Sequence, residues 1–482
     1  MKFEIMHMPE YRWLTTDGKY NVVFDVTTSK LLQVDDLVLR LLKTVTDNES
    51  SDHIVERFAP EYDEKDIVDA LQSISDHIKA GELGVAGCRP IPDGESSFEF
   101  IPSSLCLNIS EECQLACVYC FAEGGSYGSM HTGSEKLMSQ ETAFAAIDLF
   151  GEHASRNGVM ISLFGGEPLT NWCVFQEVVN YAKHKLVEQG IAHVMFSTTT
   201  NAIGITEERA RFLKENNVQP MVSIDGTEVL HNELRPAKNS TINSFAETVR
   251  GLKIMLAQGL DVTVRATITS KTENLKEIFD YFRELGVARF NFQPIDCDND
   301  DELALSQKDL SRFCYQLSEF VLGDDFIYVT SAYNYYIKLL SSLTTCRFCV
   351  AGSRHFGVAS NGDVYPCHRF VGIEGFKRGN VNDPESVDIH SLSHFLENES
   401  VDNSNSGCQN CWLRYLCNGA CYGENYSENS DISIINSRRC FLNREMFSMV
   451  IARLLMDSKR LDDQGDIGES DTITNTSGAK EE

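Results

Sequence analysis

Cys113, Cys117 and Cys120 stand in a C-x3-C-x2-C array inside the stretch Ser110–Gly128, S-E-E-C-Q-L-A-C-V-Y-C-F-A-E-G-G-S-Y-G. Three thiolates in one loop, with no fourth cysteine nearby, suit a metal centre that stays open. A structural zinc site closes with four ligands. A 4Fe–4S cube normally takes four cysteines, so three leave one iron free to hold a small molecule. A second set follows near the C-terminus: Cys346, Cys349, Cys367, Cys408, Cys411, Cys417, Cys421 and Cys440. Gly362 to Cys367 reads G-x4-C, and Cys408 to Cys421 reads C-x2-C-x5-C-x3-C. Eight cysteines match two cubes of four thiolates each. C-x2-C pairs are also common zinc ligands, so spacing alone leaves both metals open. Cys88, Cys106, Cys173, Cys297 and Cys314 read as plain apolar thiols.

Composition narrows the setting. The chain has 482 residues, which predicts two or three domains. With 71 acidic and 42 basic residues the formal net charge is −29. That excess argues against nucleic acid and against an anionic membrane surface, since both need clustered Lys and Arg. Sixteen cysteines suggest a disulfide scaffold at first sight. The N-terminal Met1-Lys2-Phe3-Glu4-Ile5-Met6-His7 has no apolar signal region, and no apolar run is long enough to span a bilayer. A cytoplasmic chain with reduced thiols is therefore expected, and clustered cysteines read as metal ligands.

The elements that must position these residues follow. Residues 1–92 read as a small unit: strands at 11–14, 20–26 and 31–34, an Asp17-Gly18 hairpin signal, and helices at 36–45 and 63–80. A linker around Arg89-Pro90-Ile91-Pro92-Asp93-Gly94 leads into residues 100–325. There Leu105–Ile109 reads as a buried strand that ends just before the three-cysteine loop. Strands at 159–164, 193–199, 220–224, 261–269 and 289–294 alternate with helices at 140–154, 172–188, 207–216, 244–258 and 274–285. Six βα units predict an α/β fold with a parallel sheet, whose sites lie at the C-terminal strand ends. A helix at 306–321 precedes the cysteine-rich residues 340–450, and the polar acidic tail 458–482 reads as disordered.

The cysteine loop, with Tyr119 before its third cysteine, closely resembles the signature of the radical SAM (S-adenosylmethionine) superfamily. Segments at successive strand ends agree: Gly165-Gly166-Glu167, Thr199-Thr200-Asn201, and Ser223-Ile224-Asp225-Gly226 with Arg235 after it. The resemblance implies a partial (β/α)6 barrel. It assigns Tyr119, Gly165, Gly166, Glu167, Asn201, Ser223, Asp225, Arg235 and Arg265 to binding SAM. Glu167 offers a carboxylate to an ammonium, and Arg265 a fork to the SAM carboxylate. The family usually has Gly where Ala202 follows Asn201, which puts the local turn in question. The C-terminal cysteines are similar to the SPASM extension with two auxiliary 4Fe–4S clusters. By that resemblance Cys346, Cys349, Cys367 and Cys421 hold one, and Cys408, Cys411, Cys417 and Cys440 the other. The N-terminal unit resembles a winged-helix-like peptide-recognition domain, where a precursor's leader adds a strand to a sheet edge.

The family chemistry implies SAM and three 4Fe–4S clusters as cofactors. It also implies a one-electron reductant such as flavodoxin or ferredoxin as a partner. Cys120–Gly128 and Tyr365–Gly372 resemble maturases that form Cys thioether crosslinks in ribosomal peptides. Anaerobic sulfatase maturases usually carry a basic Asp where His368 stands, and its absence counts against that activity; His368 is a candidate catalytic base, with a structural or exposed histidine as the other reading. Other expectations are a carbon–carbon or ether crosslink, epimerisation or sulfatase-type oxidation. A metal-bound peptide-binding scaffold without catalysis is the reading from another class.

Overall fold

A computed structural model describes residues 11–15, 21–45, 49–83, 98–125, 127, 136–297, 301–341, 344–402 and 407–463. Strands β1 (Tyr11–Thr15), β2 (Asn21–Asp25) and β3 (Leu31–Val34) form an antiparallel sheet in that order, with both outer edges unpaired within it. Helices α1 (Asp36–Thr44), α2 (Ser51–Phe58) and α3 (Glu64–Lys79) cover one face. Successive residues of a strand point to opposite faces, and β2 uses both. Val23 joins a core with Leu41, Ile54, Ile67 and Leu71, whereas Phe24 joins the main core of the molecule. The Phe24 ring meets Trp412 edge-on at 5.4 Å. The N-terminal unit is thus seated on the C-terminal cysteine region. Helix α2 was not expected from sequence. The Asp17-Gly18 turn, Cys88 and the 89–94 linker lie outside the described residues.

Strands β4 (Ser104–Ser110), β5 (Val159–Gly165), β6 (Val194–Thr200), β7 (Val218–Ser223), β8 (Thr263–Ile268) and β9 (Arg289–Pro294) run parallel in sequence order. Helices α4 (Gln140–His153), α5 (Trp172–Glu188), α6 (Glu207–Glu215), α7 (Glu228–Leu234), α8 (Ser244–Ala257) and α9 (Leu275–Glu284) lie between them. Side chains of Ser139, Thr206, Asn243 and Asn274 cap α4, α6, α8 and α9 by accepting from first-turn N–H groups. This is the expected partial barrel, with one correction. The sheet has eight strands, because β10 (His355–Val358) adds in parallel to β4 and β11 (Val364–Tyr365) hairpins back onto β10. The cysteine-rich region therefore continues the barrel's sheet.

A parallel sheet buried on both faces reads as a continuous apolar run. Here β5 and β9 alternate instead, whereas β4 is buried almost throughout. In β5 Val159, Ile161 and Leu163 are buried while Met160, Ser162 and Phe164 are partly open, and β9 alternates Phe290 and Phe292 with Asn291 and Gln293. The apolar face meets the helices. The other face is a polar concavity, where Ser162 and Ser197 share a hydrogen bond at 2.9 Å.

The remaining helices are α10 (Gln307–Leu322), α11 (Thr330–Leu340), α12 (Ile389–Ser393), α13 (Arg414–Cys417), α14 (Tyr422–Asn429) and α15 (Ser437–Asp463). Helix α15 packs along α10 and α11. It runs to Asp463, so the tail expected to be disordered from 458 begins as helix; residues 464–482 lie outside the described residues. No helix among the described residues is long and apolar enough to cross a membrane.

Candidate iron–sulfur and SAM site

The three-cysteine loop leaves β4 at Ser110 and is pinned by the segment after α7. The N–H groups of Ala116 and Val118 donate to Pro236 and Leu234, and Lys238 N–H donates to Gln114. Each sulfur meets donors. Leu115 N–H and Asn201 Nδ2 lie 3.4 and 3.7 Å from Cys113 Sγ, Arg235 Nη1 lies 3.9 Å from Cys117 Sγ, and Gly124 N–H lies 3.3 Å from Cys120 Sγ. Burial pushes the Cys113 thiol up to about 12, with the charges of Glu167, Cys117 and Cys120 adding to it. Burial likewise raises Cys117. Such thiols stay protonated unless a metal cation takes the proton's place.

The glycines of Gly165-Gly166-Glu167 have a different use from the one expected. A Cβ on Gly165 would sit 2.1 Å from Ser110 O, and one on Gly166 would sit 2.6 Å from Glu112 O. They admit the cysteine loop's own backbone, to which Gly166 and Glu167 N–H donate at 2.7 Å each. Glu167 is buried and accepts from Leu169 N–H, Thr200 Oγ1 and Asn201 N–H at 3.1, 2.7 and 2.7 Å. Burial raises it to about 7 against the pull of those donors. Its carboxylate chiefly ties β5 to β6, and little of it is left for an ammonium.

Asp225 is also filled. It accepts from Tyr119 Oη, from Arg235 Nε and Nη2 at 2.8 and 3.0 Å, and from Thr267 N–H at 3.0 Å. Tyr119, Asp225 and Arg235 thus hold one another and steady Cys117. Ser223 closes β7 and pairs in register with Arg265 on β8. Arg265 differs from its neighbours: among the described residues no partner takes a hydrogen bond from its guanidinium. Burial and the nearby Arg369 and Arg235 cations lower its pKa. It is an unneutralised cation at the concave face, suited to a carboxylate. Ala202 takes φ +61°, so the turn usually made with glycine is kept by a strained alanine.

The C-terminal cysteines gather in two groups. Cys349, Cys367 and Cys421 act electrostatically on one another. Cys417, Cys411, Cys440 and Cys408 do likewise. Asn443 Nδ2 donates to Cys417 Sγ at 3.2 Å. Cys346 is fully buried, with its carbonyl accepting from Val401 N–H at 2.9 Å. His368 Nδ1 lies 3.4 Å from Cys367 Sγ, and its ring stands edge-on to Phe164 at 5.0 Å. Burial pushes His368 down to about 3 and His355 to about 4.

Comparison with known proteins decides between the metals. Residues 107–292 match the model of the Radical SAM superfamily, and residues 349–412 match that of SPASM, an iron–sulfur cluster-binding domain. The chain is a radical SAM/SPASM enzyme. The cysteine-type anaerobic sulfatase-maturating enzyme of Clostridium novyi is 28% identical over 335 residues, covering 65% of this chain and 85% of that protein. The radical SAM cyclopropyl synthase TigE of Paramaledivibacter caminithermalis is 24% identical over 375 residues, 74% of each chain. The solved structure of native anSMEcpe with bound AdoMet superposes with TM-score 0.63 at 22% identity, covering 74% of this chain and all of that one, and so shares the fold.

This radical SAM enzyme binds SAM and a 4Fe–4S cluster in its core, and its SPASM domain binds auxiliary clusters. The three buried thiols with their N–H donors fit a cluster, and the free Arg265 fits a carboxylate. Cys113, Cys117 and Cys120 would hold the cluster and Arg265 the SAM carboxylate, and together the two cofactors would supply radical chemistry for hydrogen abstraction. The chain's own residues hold the loop, offer charge and exclude water. Sequence reasoning placed Thr200 at a strand end without a role and missed Thr267 and His231. His231 Nδ1 accepts from Asp225 N–H at 3.3 Å, and no spacing signal marks such supporting groups.

Proposed function

We propose that this enzyme modifies a ribosomally made precursor peptide and joins cysteine sulfur to carbon as thioether crosslinks. One observation carries the reading. Phe121 of the cysteine loop stacks near Phe164 at 6.5 Å, and Phe164 meets His368, which touches Cys367. The two metal-ligand regions thus adjoin across one concave face. Joining a thiol to a C–H carbon is a two-electron oxidation. One hydrogen atom leaves to the radical, one electron must leave to an acceptor, and the thiol proton goes to solvent or a base. Cys349, Cys367 and Cys421, with Cys346 as fourth ligand, would hold that acceptor next to the substrate. The named relatives support peptide or protein modification: one matures a sulfatase, and one is a cyclopropyl synthase. A sulfatase-type oxidation finds no carboxylate base at position 368.

The leader of the precursor is proposed to add a strand to a free edge of the β1–β3 sheet. The product should be two hydrogens lighter per crosslink, with one cysteine per crosslink resisting alkylation. Mass spectrometry after alkylation reads both. A mass loss with every cysteine still alkylated would point to a carbon–carbon or ether bond, and an unchanged mass to epimerisation.

A further inference from the structure

Cys367 Sγ draws both backbone and side-chain contacts. The backbone N–H groups of Arg369 and His368 act on it, and His368 Nδ1 adds a side-chain contact at 3.4 Å. The ring is held in place. Phe164 abuts it at 5.0 Å and His355 at 6.1 Å, while His355 Nδ1 is itself engaged by Ser104 Oγ at 3.0 Å. The nearest ligand atoms of His355, Cys367 and His368 all lie within 4.8 Å of one another, so direct metal ligation by the rings is the competing use.

A metal-bound thiolate carries no proton. The contact between His368 Nδ1 and Cys367 Sγ is then a hydrogen bond only if the imidazole proton sits on Nδ1. N–H donors to cluster sulfurs stabilise the more electron-rich state and raise the reduction potential. The site is buried, and low polarity strengthens such a bond. We infer that His368 is a positioning residue that donates Nδ1–H to Cys367 and sets the potential of the auxiliary cluster next to the substrate, favouring electron acceptance. This rests on the assignment of Cys349, Cys367 and Cys421 to one cluster, which iron counting on the unaltered enzyme tests separately.

The test is a redox titration followed by EPR on anaerobically reconstituted holoenzyme. His368→Phe keeps a ring and removes the donor; the potential of one auxiliary cluster should shift to more negative values while the other stays unchanged. His368→Gln keeps a donor and should recover part of the shift. His355→Phe should leave both potentials where they are. An unmoved potential in His368→Phe, or an equal shift in His355→Phe, would overturn the inference. Pulsed EPR on the unaltered enzyme gives a reading that needs no variant. A weakly coupled nitrogen and an exchangeable proton are expected at the reduced cluster. A strongly coupled nitrogen would make a ring a ligand, and no nitrogen coupling would remove the contact; either result overturns it.

Discussion

Arg265 carries the charge that the concave face leaves unneutralised. Asp225 already holds Arg235, and Asp296 holds Arg369. Replacing Arg265 with Ala should weaken SAM binding about 10- to 100-fold, the worth of a charge-assisted hydrogen bond. Iron content should not change; calorimetry and an iron assay check the two arms. His231 makes a second residue-level test. Burial lowers its pKa from the ordinary 6.5 to about 4. A depressed folded-state value gives stability that is present above pH 6.5 and lost as pH falls through 4. The group is worth roughly 3 kcal/mol at most across that window. His231→Asn keeps an acceptor for Asp225 N–H without a titrating group. Its melting temperature should fall less steeply from pH 6.5 to 4; parallel slopes would contradict the buried neutral imidazole. The three-cysteine loop was legible as a candidate metal centre because its spacing is local. The hydrogen-bond filling of Glu167 and Asp225 was not, because Thr200 and Thr267 come from other strands.

At the scale of elements, the turn after β6 depends on α8. Asn201 and Ala202 lie where Gly251 of α8 has no side chain, and a Cβ there would come within 2.1 Å of Ala202 O. Gly251→Ala must push that turn, at a cost of about 1–3 kcal/mol. Asn201 bonds both Glu167 and Cys113, so SAM affinity should fall together with thermal stability; differential scanning fluorimetry and SAM titration measure each. The six parallel strands were legible from alternating helical and strand periods. Strands β10 and β11 were not, since β10 is four residues long and β11 two, and β10 pairs with a strand some 250 positions away in sequence. The N-terminal sheet was legible as a unit but not its seat on Trp412, which a single buried phenylalanine does not announce. Removing residues 1–83 should therefore weaken precursor binding and also bare Trp412. Unchanged precursor affinity in that truncation would reject the leader-binding role.

Across the whole molecule, the three-cysteine loop follows β4 and Cys367 follows β11 of one eight-stranded sheet, whereas Cys408, Cys411, Cys417 and Cys440 lie in the helical segments beyond it. The account stands on the three-cysteine loop as the catalytic cluster's seat. Its direct test is iron and 5′-deoxyadenosine measured on the anaerobic, reduced enzyme and on its Cys113→Ala, Cys117→Ala, Cys120→Ala variant. The unaltered enzyme should hold about twelve irons by its count of ligand cysteines and cleave SAM. The variant should keep about eight irons, those of two cubes, and release no 5′-deoxyadenosine. Zinc in place of iron, or SAM cleavage that survives the triple change, would contradict the account.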